Sequence, residues 1–133
     1  MPQRKSVPLA WRRFGARYRL EGNYCERCDK KFFPPRSVCP FCLSTDLKPY
    51  KFKEEGKVVT YTVIHVAPPG FEGRTPYCIA IIELEDGVRV TGEVVGDISK
   101  VKIGARVRAV FRKIFEESNK GIIHYGLKWE VVE

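Results

Sequence analysis

The sequence predicts a mainly β protein in three parts: an N-terminal amphipathic helix, a short ribbon held by a metal ion, and a small closed five-stranded barrel of OB type. Three observations lead there. Aromatic residues recur at helical spacing ahead of residue 22, two CxxC pairs follow with ten residues between them, and five runs rich in β-branched and aromatic residues fill the chain from 57 onwards. The expected division is 1–22 for the helical segment, 23–52 for the ribbon and 53–133 for the barrel.

Bulk composition limits what else the chain can be. At 133 residues, 44% hydrophobic and 30% charged, it has the balance of a globular protein with room for one ordinary domain or two small modules. A large enzyme fold does not fit. The longest apolar stretch, "YCIAII", is too short to span a bilayer, and "MPQRKSVPLAWRRF" has no apolar run of signal-peptide length, so the reading is a cytoplasmic protein without membrane attachment. The net charge of +8 is unevenly placed. Residues 1–36 hold ten Lys or Arg against three acids, whereas 37–133 hold fourteen against thirteen. The basic character therefore belongs to the front of the chain, and a metal bound by four thiolates there would lower it by two charges.

The helix is read over "PLAWRRFGARYRLEG". Trp11, Phe14 and Tyr18 fall at spacings of three and four, Pro8 suits a first helical turn, and Gly22 suits an end. Arg12, Arg13, Arg17 and Arg19 lie between the aromatics, and Gly15 is the weak point at which the helix would divide.

The ribbon follows in "YCERCDKKFFPPRSVCPFCL". Each CxxC turns two sulfurs toward one point, so Cys25, Cys28, Cys39 and Cys42 supply a closed tetrahedral four-thiolate shell of the structural zinc kind, with iron in the same shell as the alternative. A disulfide framework fits poorly with five cysteines in a reducing compartment, and a thioredoxin-like motif wants one CxxC beside a βαβ pattern. Pro34 and Pro35 break the extended stretch and turn the chain toward the second pair. "LKPYKFKEEGKV" is read as the passage into the strand-rich part.

The five strands are "KVVTYTVIHV", the two flanking "EDG" in "YCIAIIELEDGVRVTGEVV", "ARVRAVFRKIF" and "GIIHYGLKWEVV". In the fourth, Val107, Ala109 and Phe111 alternate with Arg106, Arg108, Val110 and Arg112, which predicts a half-buried strand whose outer side is largely basic. "GDISKVKIG" leaves room for a short helical turn between the third and fourth strands, an arrangement that suits an OB barrel. The loop "APPGFEGRTP", with Phe71 and Arg74, joins the first two strands at an end where such barrels commonly bind ligands. Cys78 sits in a strand run as a small buried hydrophobe. His65 and His124, the only histidines, also lie in strand runs, so a Cys-His nucleophile is a minor reading.

In this order, "WRRFGARYRLEGNYCERCDKKFFPPRSVCPFC", the loop "PPGFEGRTPY" leading into "CIAIIELEDGVRVTGEVV", and the later "IGARVRAVF" resemble a thiolase-associated family of archaeal and bacterial proteins, long catalogued as a domain of unknown function, with a rubredoxin-like zinc ribbon and an OB fold. The resemblance covers nearly the whole chain. It implies a non-catalytic, acyl-CoA-binding scaffold similar to the archaeal bridge between acetoacetyl-CoA thiolase and hydroxymethylglutaryl-CoA (HMG-CoA) synthase at the start of the mevalonate pathway. On that reading Trp11, Arg12, Arg13, Tyr18 and Arg19 contact a thiolase-fold partner, while Phe71 and Arg74 approach CoA or acyl-CoA. The alternative is a zinc-ribbon/OB module for single-stranded nucleic acid, with Tyr61, Tyr77 and Phe111 as stacking surfaces. A thioesterase or ligase built on Cys78 or His65 ranks last, since no acid, base or phosphate loop is positioned for it.

Overall fold

The computed structural model describes residues 6–69, 72–116, 120 and 123–132. It separates into two compact units, Met1–Phe52 and Lys53–Glu133.

The first unit opens with two helical turns, α1 (Val7–Arg12) and α2 (Phe14–Arg19), in place of one continuous helix. The break falls at Arg13, whose φ of −95° and ψ of 5° leave the helical basin, rather than at Gly15. Pro8 does sit in the first turn of α1. Leu20 caps α2 in the left-handed region with its N–H donated to the Gly15 carbonyl, so the helix stops at Arg19, three residues before Gly22. Gly22 belongs instead to β1 (Glu21–Cys25), where a Cβ would overlap the Phe32 carbonyl oxygen and the Phe52 ring.

Strands β2 (Lys30–Phe32) and β3 (Leu47–Lys51) flank β1 antiparallel, in the order β2-β1-β3. β3 was not foreseen, because its lysines and Pro49 read as linker. It is an outer strand, where Pro49, having no N–H to donate, is accepted. Aromatic contacts bind the sheet: Tyr50 meets Phe52 edge-on at 5.0 Å, Phe33 meets Phe52 at 6.1 Å, and Lys31 donates to the Tyr50 hydroxyl at 3.1 Å.

The second unit is a closed barrel of β4 (Glu55–Ile64), β5 (Tyr77–Glu83), β6 (Arg89–Val95), β7 (Arg106–Glu116) and β8 (Ile123–Val131), ordered β4-β5-β6-β8-β7 and closed by β4 against β7. Among the described residues the β6–β8 pairing is parallel and the other pairings of the barrel are antiparallel. This is the five-stranded OB topology that the strand count and the short turn at Ile98–Lys100 implied. A bulge between Val58 and Thr60 bends β4. The backbone groups of Val58 are met by the following connection, its N–H donating to the Ala105 carbonyl and its carbonyl accepting from Gly104.

Alternation fills the interior. Cys78, Ala80 and Ile82 of β5 are buried, as are Val58, Val94, Val107 and Trp129 of the other strands. Gly92 is required by close approach: a Cβ there would run into the Trp129 indole. Glu93 and Lys128, neighbours on β6 and β8, form a largely buried ion pair at 2.8 Å.

One strand expectation is corrected. Phe111 has the phase of a core residue, yet it is 52% exposed and stacks on Tyr125 at 5.4 Å. β4 pairs with β7 only at Arg106–Arg108, and β6 pairs with β8 only at Trp129 and Glu130. Beyond those points, among the described residues, β7 and β8 pair with each other and with no other strand, and Phe111 lies on this arm.

Candidate metal centre and partner-facing groove

The metal centre is assembled by two tight turns that follow β1 and precede β3. In the second, the Cys39 carbonyl accepts from Leu43 N–H, and Cys39 N–H donates to the Ser44 carbonyl, both at 2.9 Å, which folds Cys42 back toward Cys39. Cys25 and Cys39 are fully buried, Cys28 and Cys42 partly so.

All four Sγ atoms lie within 4.8 Å of one another, with Cys25 and Cys42 at 3.5 Å and Cys28 and Cys39 at 4.0 Å. Four sulfurs each about 2.3 Å from one tetrahedral ion stand about 3.8 Å apart, so the cluster already has the size of a zinc–thiolate shell. Its electrostatics ask for a cation. Burial opposes charge on Cys39, but the backbone N–H groups of Cys42 and Phe41 outweigh it and bring that thiol down to about 7. Cys28, hydrogen-bonded to Cys42 and desolvated, is pushed up to about 12. Sulfurs this close cannot all ionise by themselves, and a divalent ion among them removes the conflict. The four donors fill a tetrahedron and leave no position for a reacting water, so the group they fit is structural.

The residues expected to meet a partner lie on the same unit. Neither helix has a buried residue, and Trp11 is 71% exposed. Trp11 stacks on Phe14 at 5.8 Å, Phe14 meets Tyr18 edge-on at 4.7 Å, and the Arg19 guanidinium lies over the Phe14 ring while its Nε pairs with Glu21. Trp11, Arg12 and Arg19 line one open groove of about 650 Å³ together with Phe14, Leu47 and Pro49. Arg13 and Tyr18 lie outside that lining. The part played by Leu47 and Pro49 was missed with β3 itself, and only their place before Phe52 in an otherwise polar stretch hinted at it.

Of the two residues expected at CoA, Phe71 lies outside the described residues. Arg74 donates through Nη1 to the Ile114 carbonyl at 2.6 Å, which ties its loop to β7. Cys78 is wholly buried, and burial followed by the charge of Glu93 pushes its thiol up, the reverse of what a nucleophile needs. No helix among the described residues is long and apolar enough to cross a membrane.

A three-stranded ribbon with a four-cysteine centre, followed by an OB barrel, defines a class of two-module proteins, and comparison with known proteins places the chain within it. Residues 12–48 match the rubredoxin-like zinc ribbon domain of ChsH2 and residues 50–112 its C-terminal OB-fold domain. A DUF35 domain-containing scaffold protein of Methanocaldococcus jannaschii is 46% identical over 131 residues, 97% of this chain and 93% of the relative. The chain belongs to the DUF35 family. The benzoylsuccinyl-CoA thiolase subunit BbsA of Geobacter metallireducens is 26% identical over 110 residues, covering 82% of this chain and 73% of that subunit. Among solved structures, the Ltp2-ChsH2(DUF35) aldolase superposes with a TM-score of 0.67 at 30% identity, over 85% of this chain and 84% of that one.

Proposed function

We propose that this protein is a non-catalytic scaffold for thiolase-fold enzymes, linking acetoacetyl-CoA thiolase to HMG-CoA synthase and supporting transfer of the CoA-bound intermediate at the start of the mevalonate pathway. The carrying observation is the aromatic ladder of Trp11, Phe14 and Tyr18, set among arginines on two helical turns that have no fully buried residue and leave Trp11 71% exposed. Trp and Arg are the residue types that most often carry interface energy. Relatives named as a scaffold and as a thiolase subunit support the same reading.

The chemical logic is one of coupling. Condensation of two acetyl-CoA molecules is uphill, and an adjacent second enzyme draws it forward by consuming product at high effective concentration. On this reading Trp11, Arg12, Arg13, Tyr18 and Arg19 of segment 1–22 bind the thiolase-fold partner. Zinc rather than iron holds Cys25, Cys28, Cys39 and Cys42 of the ribbon, 23–52. The barrel, 53–133, offers Arg74 and Phe71 to the phosphates and adenine of CoA, which a guanidinium and an aromatic ring recognise. The complex works in the cytoplasm.

The test is reconstitution. The purified chain mixed with candidate thiolase and synthase should coelute with both and raise coupled HMG-CoA formation while turning over no acetyl-CoA by itself. Turnover by this chain alone would overturn the scaffold reading.

A further inference from the structure

Among the described residues, three other than glycine lie at positive φ: Leu20 at 52°, Asp29 at 53° and Leu43 at 60°. The first is compensated, because Leu20 is 3% exposed and its apolar side chain is covered. Asp29 and Leu43 occupy the same place in the two metal turns, directly after the second cysteine of each pair. That place demands a left-handed residue. Asp is among the residues that tolerate it, since its short polar side chain bonds locally. Leucine does not, and Leu43 is also 75% exposed. Glycine or asparagine would relieve the strain and the apolar exposure together.

The neighbours of Leu43 share this character. Phe41 is 67% exposed and Val38 43%, so the second turn presents three apolar side chains around the partly exposed Cys42. The Phe41 ring stacks on Phe32, with Lys30 Nζ 5.4 Å from the Phe41 centroid and the Arg36 guanidinium 5.7 Å from that of Phe32. The apolar tip therefore has a cationic edge. Strain at an exposed hydrophobic residue is the mark of a position shaped by something it binds.

We infer that the second metal turn is a docking knob: Phe41 and Leu43 enter an apolar socket on a thiolase-fold enzyme whose rim carries carboxylates for Lys30 and Arg36. This surface is additional to the aromatic ladder around Trp11, and the inference rests on the scaffold reading above. A second copy of this chain is a poor occupant. Two-fold pairing of the tips would bring two cationic edges into one interface. An occupied knob would also shield the exposed edge of Cys42 and slow loss of the metal.

The test uses the full zinc-loaded chain and whichever thiolase-fold enzyme coelutes with it in a Trp11-dependent manner. Leu43→Gly should keep its zinc and melt at or above the wild-type temperature, yet bind that enzyme at least ~10-fold more weakly, the scale of one interface anchor. Phe41→Ser provides a second variant that leaves the backbone of the turn alone. Zinc release to a chelator should slow when the enzyme is added to wild type but not to Leu43→Gly. Wild-type affinity in both variants, with Trp11→Ala still defective, would remove the knob and leave the scaffold reading standing. Absence of coelution for the wild type would remove the scaffold reading itself. Self-association of the wild type that disappears in Leu43→Gly would assign the knob to a second copy and overturn the proposal.

Discussion

Replacing Trp11 by Ala separates binding from folding. The indole is 71% exposed and stacks on Phe14, so the isolated chain loses little when it is removed. A surface change of this kind falls within about 0.5 kcal/mol. A tryptophan side chain offers up to about 250 Å² to bury. Taking the exposed share of that area, roughly 170 Å² remains for a partner, equivalent to about 4 kcal/mol at ~25 cal/mol per Å². Incomplete burial, side-chain ordering and desolvation of nearby arginines reduce this, so about 2 kcal/mol is expected in the complex. That is about a thirtyfold rise in Kd. Titration calorimetry of wild type and variant against the copurifying thiolase-fold enzyme reads it directly, with thermal melting and zinc content as controls. Adding Arg12→Ala, which lines the same groove, should deepen the loss. An unchanged Kd, or a loss that tracks the melting temperature, would refute the argument.

Other expectations follow from the two units. Purified protein should carry about one zinc per chain; Cys39→Ser should lower that content and abolish coelution, whereas Cys78→Ser should leave the zinc in place, as elemental analysis would read. Trp129→Ala should destabilise the barrel by about 3–5 kcal/mol in urea denaturation, because the indole is 2% exposed and packed over Gly92. Single-stranded oligonucleotides should bind weakly at ~0.15 M salt, since the excess positive charge lies outside the barrel; tight, salt-sensitive binding lost in Phe111→Ala would instead support the nucleic-acid module.

What could be read in advance depended on whether the determining contacts were local. The four clustered cysteines lie within eighteen residues, and the geometry of a CxxC turn is set inside the turn, so the convergence of Cys25, Cys28, Cys39 and Cys42 was legible in the sequence. The barrel strands were legible because β-branched residues alternate along them. Their phase at Phe111 was legible too, but phase does not say where the barrel wall ends. Among the described residues, that ring lies where β4 and β6 no longer pair with β7 and β8. β3 was hidden for a related reason: Lys48, Pro49 and Lys51 have low strand propensity, and it is pairing with β1 that makes them a strand. Leu43 was the least legible of all. Nothing in "CPFCL" announces a left-handed backbone, and only its angle of 60° beside its exposure marks it.

The cysteine cluster bears on the groove around Trp11 through the way the first unit is held together. A unit of fifty-two residues has a small apolar core, and a metal staple adds to what so small a core supplies. One of its buried clusters is made of Cys25, Phe32 and Cys39, with Cys28, Cys42 and Leu47 packed against it, so the sulfurs that bind the ion are themselves core side chains. β1 begins at Glu21, which pairs with Arg19, and ends at Cys25, a metal ligand. Leu47 of β3 joins the cysteine cluster and also lines the groove beneath Trp11. Loss of the ion therefore frees one end of β1 and one wall of the groove at the same time. The helical turns, which have half-buried but no fully buried residues, then lose part of the surface they pack on. This is why Cys39→Ser should end partner binding although Cys39 lies outside the groove, and why a site with no open coordination position still bears on function.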